Sequence, residues 1–182
     1  MASAPSKLYA DDVSVLVVLL DTNPFFWSSF AFPFSKFLSH FLSFLNSILV
    51  LNQLNQVVVI ATGCNSCDYI YDSSMATSPS IESGRMPALC SDLLQKLEEF
   101  VTRDEHLGKQ DSLGPTTSSL LSGSLSMALC WNFRGYGARV RGLLCRGGSK
   151  GPCFVEGSSD GPEQYVAIMN AIFSAQRSMV CS

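Results

Sequence analysis

An almost continuous apolar run near the start of the chain constrains the fold more than any other feature. Residues 13–20 hold seven apolar side chains out of eight, four of them valine, and Asp21 follows directly. Such β-branched runs are typical of strands buried on both faces, as in parallel sheets covered by helices. Because open α/β sheets place their ligand crevice at the carboxyl ends of the strands, Asp21 is expected at that edge.

The rest of the chain alternates between strand and helix patterns. A second apolar run at 57–62 predicts another buried strand, and 68–71 predicts a possible edge strand. Apolar residues at helical spacing predict four helices, and Gly, Pro and Ser clusters predict two long loops. The helices are expected at about 34–53, 89–102, 119–131 and 162–179, and the loops at 73–87 and 104–117. Strands joined by helical crossovers indicate right-handed βαβ units, a mostly parallel sheet and a single α/β domain over 1–182.

Composition narrows the possible partners. Charged residues make up 15% of the chain and hydrophobic residues 47%, whereas about 25% charged residues is typical of globular domains. This apolar excess favours a chain that buries part of its surface against other proteins. The net charge of −3 gives no general electrostatic reason to bind nucleic acid, and we expect no sequence-specific binding.

No membrane or export segment is expected. Residues 1–12 lack the charged start and apolar stretch of a secretory signal. The apolar stretch 25–51 is interrupted by Pro33, Lys36 and His40, so it falls short of the roughly 20 apolar residues that span a bilayer. We interpret it as containing a largely buried amphipathic helix.

The segment 131–159 differs in composition from its surroundings. Eight of the 13 glycines lie in 131–161, and no Asp or Glu occurs from 112 to 155. A strand beside the first strand is expected here, and the candidates are 140–145 and Cys153–Val155. We interpret 131–159 as a Gly/Arg-rich irregular insertion. A basic loop that contacts phosphate is the alternative, since four positive charges lie between 135 and 150.

Several strings of residues resemble one family. They include Leu-Leu-Asp-Thr-Asn-Pro-Phe-Phe-Trp at 19–27, Leu-Ser-Gly-Ser-Leu-Ser-Met-Ala-Leu-Cys at 121–130 and Met-Asn-Ala-Ile-Phe-Ser-Ala-Gln at 169–176. With shorter strings at 55–61 and 67–71, the resemblance covers most of 7–130 and 158–180. The chain resembles the smaller of the two von Willebrand factor A-like subunits of the general transcription factor TFIIH, in a plant-like form.

The resemblance implies a three-layer, Rossmann-like von Willebrand factor A domain whose sheet is flanked by helices. It also implies a non-catalytic nuclear scaffold that binds the larger A-domain subunit and other TFIIH core subunits, in transcription initiation by RNA polymerase II and in nucleotide excision repair. The family continues past Val180 into further strands, a helix and a cysteine-rich zinc module. The chain is therefore expected to be a truncated form, incomplete at its C-terminal end and without a cofactor of its own.

The residues after the first strand indicate whether this edge of the sheet can bind a metal ion. Metal-binding A domains carry Asp-x-Ser-x-Ser here, and the corresponding positions in this chain are Asp21, Asn23 and Phe25. Because Phe25 offers no oxygen and Pro24 stiffens the loop, we expect a degenerate motif in which Asp21 makes structural hydrogen bonds. The alternatives are a metal-dependent ligand-binding A domain and a small phosphohydrolase using Asp21 as nucleophile, although the latter needs an acid at position 23.

Two further motifs fall short of a catalytic or metal site. Cys64 and Cys67 have the spacing of a zinc or redox pair, but no second pair accompanies them, and we predict two independent thiols. The seven cysteines, an odd number, do not predict a disulfide framework. The string 122–124 lies in a predicted helix and lacks the strand-to-helix turn of a serine hydrolase.

Overall fold

A computed structural model describes residues 15–51, 55–75, 85–110, 117–135, 153–155 and 164–180. The four strands are β1 (Val15–Asp21), β2 (Gln56–Thr62), β3 (Cys67–Asp72) and β4 (Cys153–Val155). The five helices are α1 (Pro24–Ser29), α2 (Phe34–Leu51), α3 (Arg85–Gln110), α4 (Leu121–Gly135) and α5 (Tyr165–Val180).

The strands form one mixed sheet in the order β3-β2-β1-β4. Strand β1 runs parallel to β2 on one side and to β4 on the other, and β3 pairs with β2 in the antiparallel direction. In the register of β1 and β2, Asp21 lies beside Thr62 at the carboxyl ends of both strands. The long valine-rich strands are therefore central, as their continuous burial requires.

Helices cover both faces of the sheet, which gives three layers. On one face, alternate residues of β1 and β2 pack against α2 and α3, with Leu45, Leu93 and Phe100 almost fully buried. On the other face, Val17, Leu19, Val58 and Ile60 pack against α4 and α5. The three-layer α/β architecture expected from the sequence is confirmed.

Most predicted elements are present, with shifted ends. Both buried strands, the edge strand and the candidate strand Cys153–Val155 are observed. The other candidate, 140–145, lies outside the described residues, as do 13–14, 52–54, 76–84 and most of the segment 131–159. Helix α4 begins two residues later than predicted and continues to Gly135, so the first residues of that segment are helical.

Two predictions about secondary structure were wrong. The loop expected at 104–117 is helical to Gln110, and α3 also includes 85–87 from the other predicted loop. Gly108, within the stretch predicted as a loop, lies inside the helix close to Asn65, whose Nδ2 would be 2.7 Å from an added Cβ. Helix α1 was not predicted, although Asn23 as N-cap and Pro24 in the first turn are ordinary helix-start signals.

Helix α2 is the one described helix long and apolar enough to cross a bilayer, with a mean hydropathy of 1.4 over 18 residues. Core helices of globular domains meet the same two criteria. Its inner face supplies Leu38, Phe41 and Leu45 to the core beside the sheet, but only 17% of the helix is buried. The expectation of a largely buried helix was therefore wrong, because only this inner face packs against the domain.

Gly63, directly after β2, offers a test of the packing between the sheet and α3. A Cβ at this position would lie 2.5 Å from the Asp104 carboxylate, which is buried and held by three hydrogen bonds. Gly63→Ala should therefore lower the free energy of unfolding by about 1–3 kcal/mol in urea denaturation.

Gly123→Ala in α4 is the matched control. The added methyl meets Cys67 Sγ at 3.2 Å, and the gain in helix propensity offsets this contact, so the change should stay within about 1 kcal/mol. Equal losses in both variants would contradict the close approach of α3 to Gly63.

Candidate functional site

Asp21 ends β1 at the carboxyl edge of the sheet and is almost completely buried. Its Oδ1 accepts hydrogen bonds from the Asn23 backbone N–H at 3.0 Å and from Ser119 Oγ at 2.8 Å. Ser119 lies just before α4, 98 residues further along the chain. The carboxylate therefore joins β1 to the connection that leads into α4.

Both polar atoms of the Asn23 side chain make hydrogen bonds within the chain. Its Oδ1 accepts from the Phe25 and Phe26 backbone N–H groups, at 2.9 and 3.4 Å, which caps the N-terminus of α1. Its Nδ2 donates to the Thr117 carbonyl at 2.8 Å. Because the side chain is fully buried, losing these bonds would leave polar atoms without partners.

Gln164 extends this network to the last helix. It is buried, its Nε2 donates to the Ser119 carbonyl at 2.7 Å, and its Oε1 accepts from Ser122 N and Oγ at 3.1 and 3.2 Å. These acceptor contacts satisfy N–H and O–H groups in the first turn of α4. Six residues thus form one hydrogen-bonded cluster, here called the β1-edge network: Asp21, Asn23, Thr117, Ser119, Ser122 and Gln164.

The β1-edge network does not fit a divalent cation of the kind that metal-binding A domains hold. Both bonds to Asp21 Oδ1 and both bonds to Asn23 Oδ1 come from protein donors, and Phe25 supplies no oxygen. Thr62 Oγ, buried beside Asp21, has no hydrogen-bond partner among the described residues, but Mg²⁺ requires about six oxygens in octahedral geometry. In the part of the chain that the structure describes, no group of three or more His, Cys, Asp or Glu could hold a metal ion.

A second carboxylate fixes the turn between β2 and β3. Asp104 in α3 accepts from Cys64 N and Asn65 N, both at 3.0 Å, and from Ser66 Oγ at 2.7 Å. The Asn65 side chain donates in return to the Asp104 carbonyl at 3.1 Å. Asp104 therefore anchors α3 to the carboxyl end of β2.

Sequence reasoning missed Asp104, Ser119 and Gln164 as site residues. Asp104 could have been found, because it follows Leu93, Leu97 and Phe100 at the four-three-four spacing of the buried face of α3. Ser119 and Gln164 carry no comparable local signal, since their partners are distant in the chain.

Cys64 and Cys67 are free thiols on the β2–β3 turn. Burial, followed by the negative charge of Asp104, raises the pKa of each from 9.0 to about 11. Cys67 Sγ lies 3.3 Å from the Leu120 carbonyl, to which it donates. Because Cys67 begins a strand and neither thiol is an activated thiolate, this pair does not have the geometry of a redox motif.

The string 122–124 lies inside α4, as predicted, and not in a strand-to-helix turn. Ser122 Oγ is bonded to Gln164, and Ser124 Oγ donates to the Leu121 carbonyl. Both hydroxyls thus have structural partners within the described region.

The three-layer α/β fold and the strand-end residues Asp21, Asn23 and Phe25 agree with the resemblance of the sequence to a degenerate von Willebrand factor A-like domain. The chain also matches the model of the transcription factor Tfb4 family over residues 13–182. It therefore belongs to the Tfb4 family.

Known relatives agree with this membership. The chain is 57% identical to the general transcription and DNA repair factor IIH subunit TFB4 of Arabidopsis thaliana, over 99% of this chain and 60% of that protein. It is 30% identical to the corresponding subunit of Candida glabrata, over 92% of this chain and 54% of the relative. The chain thus spans less than two thirds of the length of these relatives.

A solved structure supports the fold. The crystal structure of the TFIIH p34 N-terminal domain superposes with a TM-score of 0.63, covering 93% of this chain and 79% of that one at 23% identity. At this level of identity the likeness concerns the fold alone.

The raised thiol pKa values predict slow alkylation of both cysteines. At pH 8, Cys64 and Cys67 should react with iodoacetamide at least about tenfold more slowly than the exposed Cys130, because only thiolates attack. Mass spectrometry that resolves each peptide measures the rates, and the urea-unfolded chain is the control in which they should converge. Rates in the folded chain equal to that of Cys130 would contradict the burial.

The raised pKa values of Cys64 and Cys67 also determine whether the free energy of unfolding rises or falls with pH. Above pH 9 the unfolded chain releases thiol protons that the folded chain retains up to about pH 11. The free energy of unfolding should therefore fall as the pH rises through this range.

Proposed function

We propose that the chain acts as a non-catalytic structural subunit of the TFIIH core complex in the nucleus. In this role it is a protein–protein scaffold in transcription initiation by RNA polymerase II and in nucleotide excision repair. Membership of the Tfb4 family, with 57% identity to the Arabidopsis TFIIH subunit, is the observation that carries the proposal.

The geometry of the carboxyl edge supports a role without catalysis. At the position where α/β domains place their chemistry, Asp21 and Asn23 bond to backbone and side-chain groups of the chain itself. A phosphohydrolase would need a free nucleophilic carboxylate and a second acid nearby, and position 23 is an amide. No observation favours the metal-dependent or hydrolytic alternatives.

We further propose that the main partner is the larger A-domain subunit and that no cofactor is bound by this chain. Exposed apolar side chains supply surface for such partners, among them Phe30, Val50, Tyr165 and Phe173. Large apolar and aromatic side chains are enriched in protein interfaces. We propose no contact with a membrane and no sequence-specific contact with nucleic acid.

Affinity capture from plant nuclear extract tests the assembly. The tagged chain should recover the larger A-domain subunit and other TFIIH core subunits, identified by mass spectrometry. The control is Leu97→Asp, which places a charge at a side chain only 3% exposed in the core and should abolish folding. Recovery of TFIIH subunits no greater than with Leu97→Asp would contradict the proposed function.

A further inference from the structure

A cavity of about 310 Å³ opens at the carboxyl edge of the sheet, on the α3 side. Its walls come from the first turn of α1, the β2–β3 turn and the C-terminal third of α3, and they include Pro24, Phe25, Asn65, Val101, Glu105 and Lys109. Concave sites lined by apolar groups with a few convergent polar groups are where proteins usually bind ligands. Asp21 and Asn23 do not line this cavity, so it is separate from the β1-edge network.

One wall of the cavity is an exposed aromatic ring. Phe25 is 49% exposed, whereas the neighbouring rings of Phe26, Trp27 and Phe30 pack against one another. The Phe25 backbone is held by the Asn23 cap, which fixes where its side chain begins. An aromatic face in a concave, partly desolvated site attracts a cation.

The charged side chains that line the cavity are mostly negative, which suits a cationic ligand. Two carboxylates line it, Asp104 and Glu105, against the single cation Lys109. The fields of Asp104 and Asp21 both reach the cavity wall, since both raise the pKa of Cys64. Asp104 already accepts three hydrogen bonds, so Glu105 is the carboxylate open to a partner. Its Oε2 lies 3.7 Å from the Lys109 ammonium in a solvent-exposed pair that contributes little energy.

We propose that this cavity receives an arginine side chain of a partner polypeptide, with its guanidinium on the Phe25 ring and paired with Glu105. Arginine suits the cavity better than lysine because its planar guanidinium stacks on aromatic rings and pairs with carboxylates through two hydrogen bonds. Aromatic residues and arginine also dominate the energetics of protein interfaces. The inference rests on the proposed function, in that it assigns this cavity to contact with another subunit.

Titration with a minimal probe tests the site without the partner. N-acetyl-arginine amide, added to the full chain, should shift the backbone amide signals of Phe25, Asn65 and Gly108 in NMR spectra. The neutral isostere N-acetyl-citrulline amide should shift them far less at the same concentration. Phe25→Ala and Glu105→Gln should each weaken binding of the arginine probe at least about threefold.

Two exposed residues outside the cavity supply matched controls. Phe44→Ala on α2 and Glu98→Gln on α3 make the same chemical changes away from it and should leave binding unchanged. Equal shifts with both probes, or equal affinity in all four variants, would overturn the proposed site whatever the affinity capture shows. Arginine-specific binding at these amides supports the site even in a chain that captures no TFIIH subunit, in which case only the proposed function fails.

Discussion

The hydrogen bond from Ser119 Oγ to the buried Asp21 carboxylate holds together the carboxyl edge on which the rest of the domain depends. Hydrogen bonds to charged groups contribute about 1.5–3 kcal/mol each, and leaving such a group unpaired in the interior costs more. Asn23 and Gln164 also bond to the segment that leads into α4, through the carbonyls of Thr117 and Ser119. The ends of β1, α1, α4 and α5 are therefore joined by one set of hydrogen bonds. The side chains of Asp21 and Asn23, which could otherwise take part in chemistry at this edge, are engaged in hydrogen bonds that join the layers.

Asp104 has a similar role on the other side of the sheet. It holds the turn after β2 against α3, as Asp21 holds the connection before α4 against β1. With both buried carboxylates engaged, most of the exposed large apolar side chains among the described residues lie around Phe25 and on α2, α3 and α5. This division between a closed polar interior and an apolar rim is consistent with a scaffold that works through contact with other proteins.

The sheet was predictable from sequence because its central strands are encoded locally. The valine-rich runs specify burial on both faces, and the position of Asp21 at the strand end follows from them. Strand β4 was only one of two candidates, since Gly and Arg interrupt the pattern around it. Helix α1 and the end of α3 were missed because Pro24 was interpreted as stiffening a loop and Gly108 falls within a stretch predicted as a loop, whereas capping by Asn23 and close packing against Asn65 accommodate them in helices.

The candidate site was predictable only in part. The sequence could show that Phe25 removes an oxygen from the metal motif at positions 21, 23 and 25, since this depends on residue type alone. It could not show which distant groups join this edge, because Ser119, which bonds to Asp21, and Thr117, which bonds to Asn23, lie more than 90 residues away. The central claim is that these hydrogen bonds leave no room for a cation. Thermal unfolding in about 10 mM Mg²⁺ and then in EDTA tests this most directly, and the account predicts Tm values equal within about 1 °C. A stabilisation of several degrees by Mg²⁺ that is lost in Asp21→Ala would contradict it.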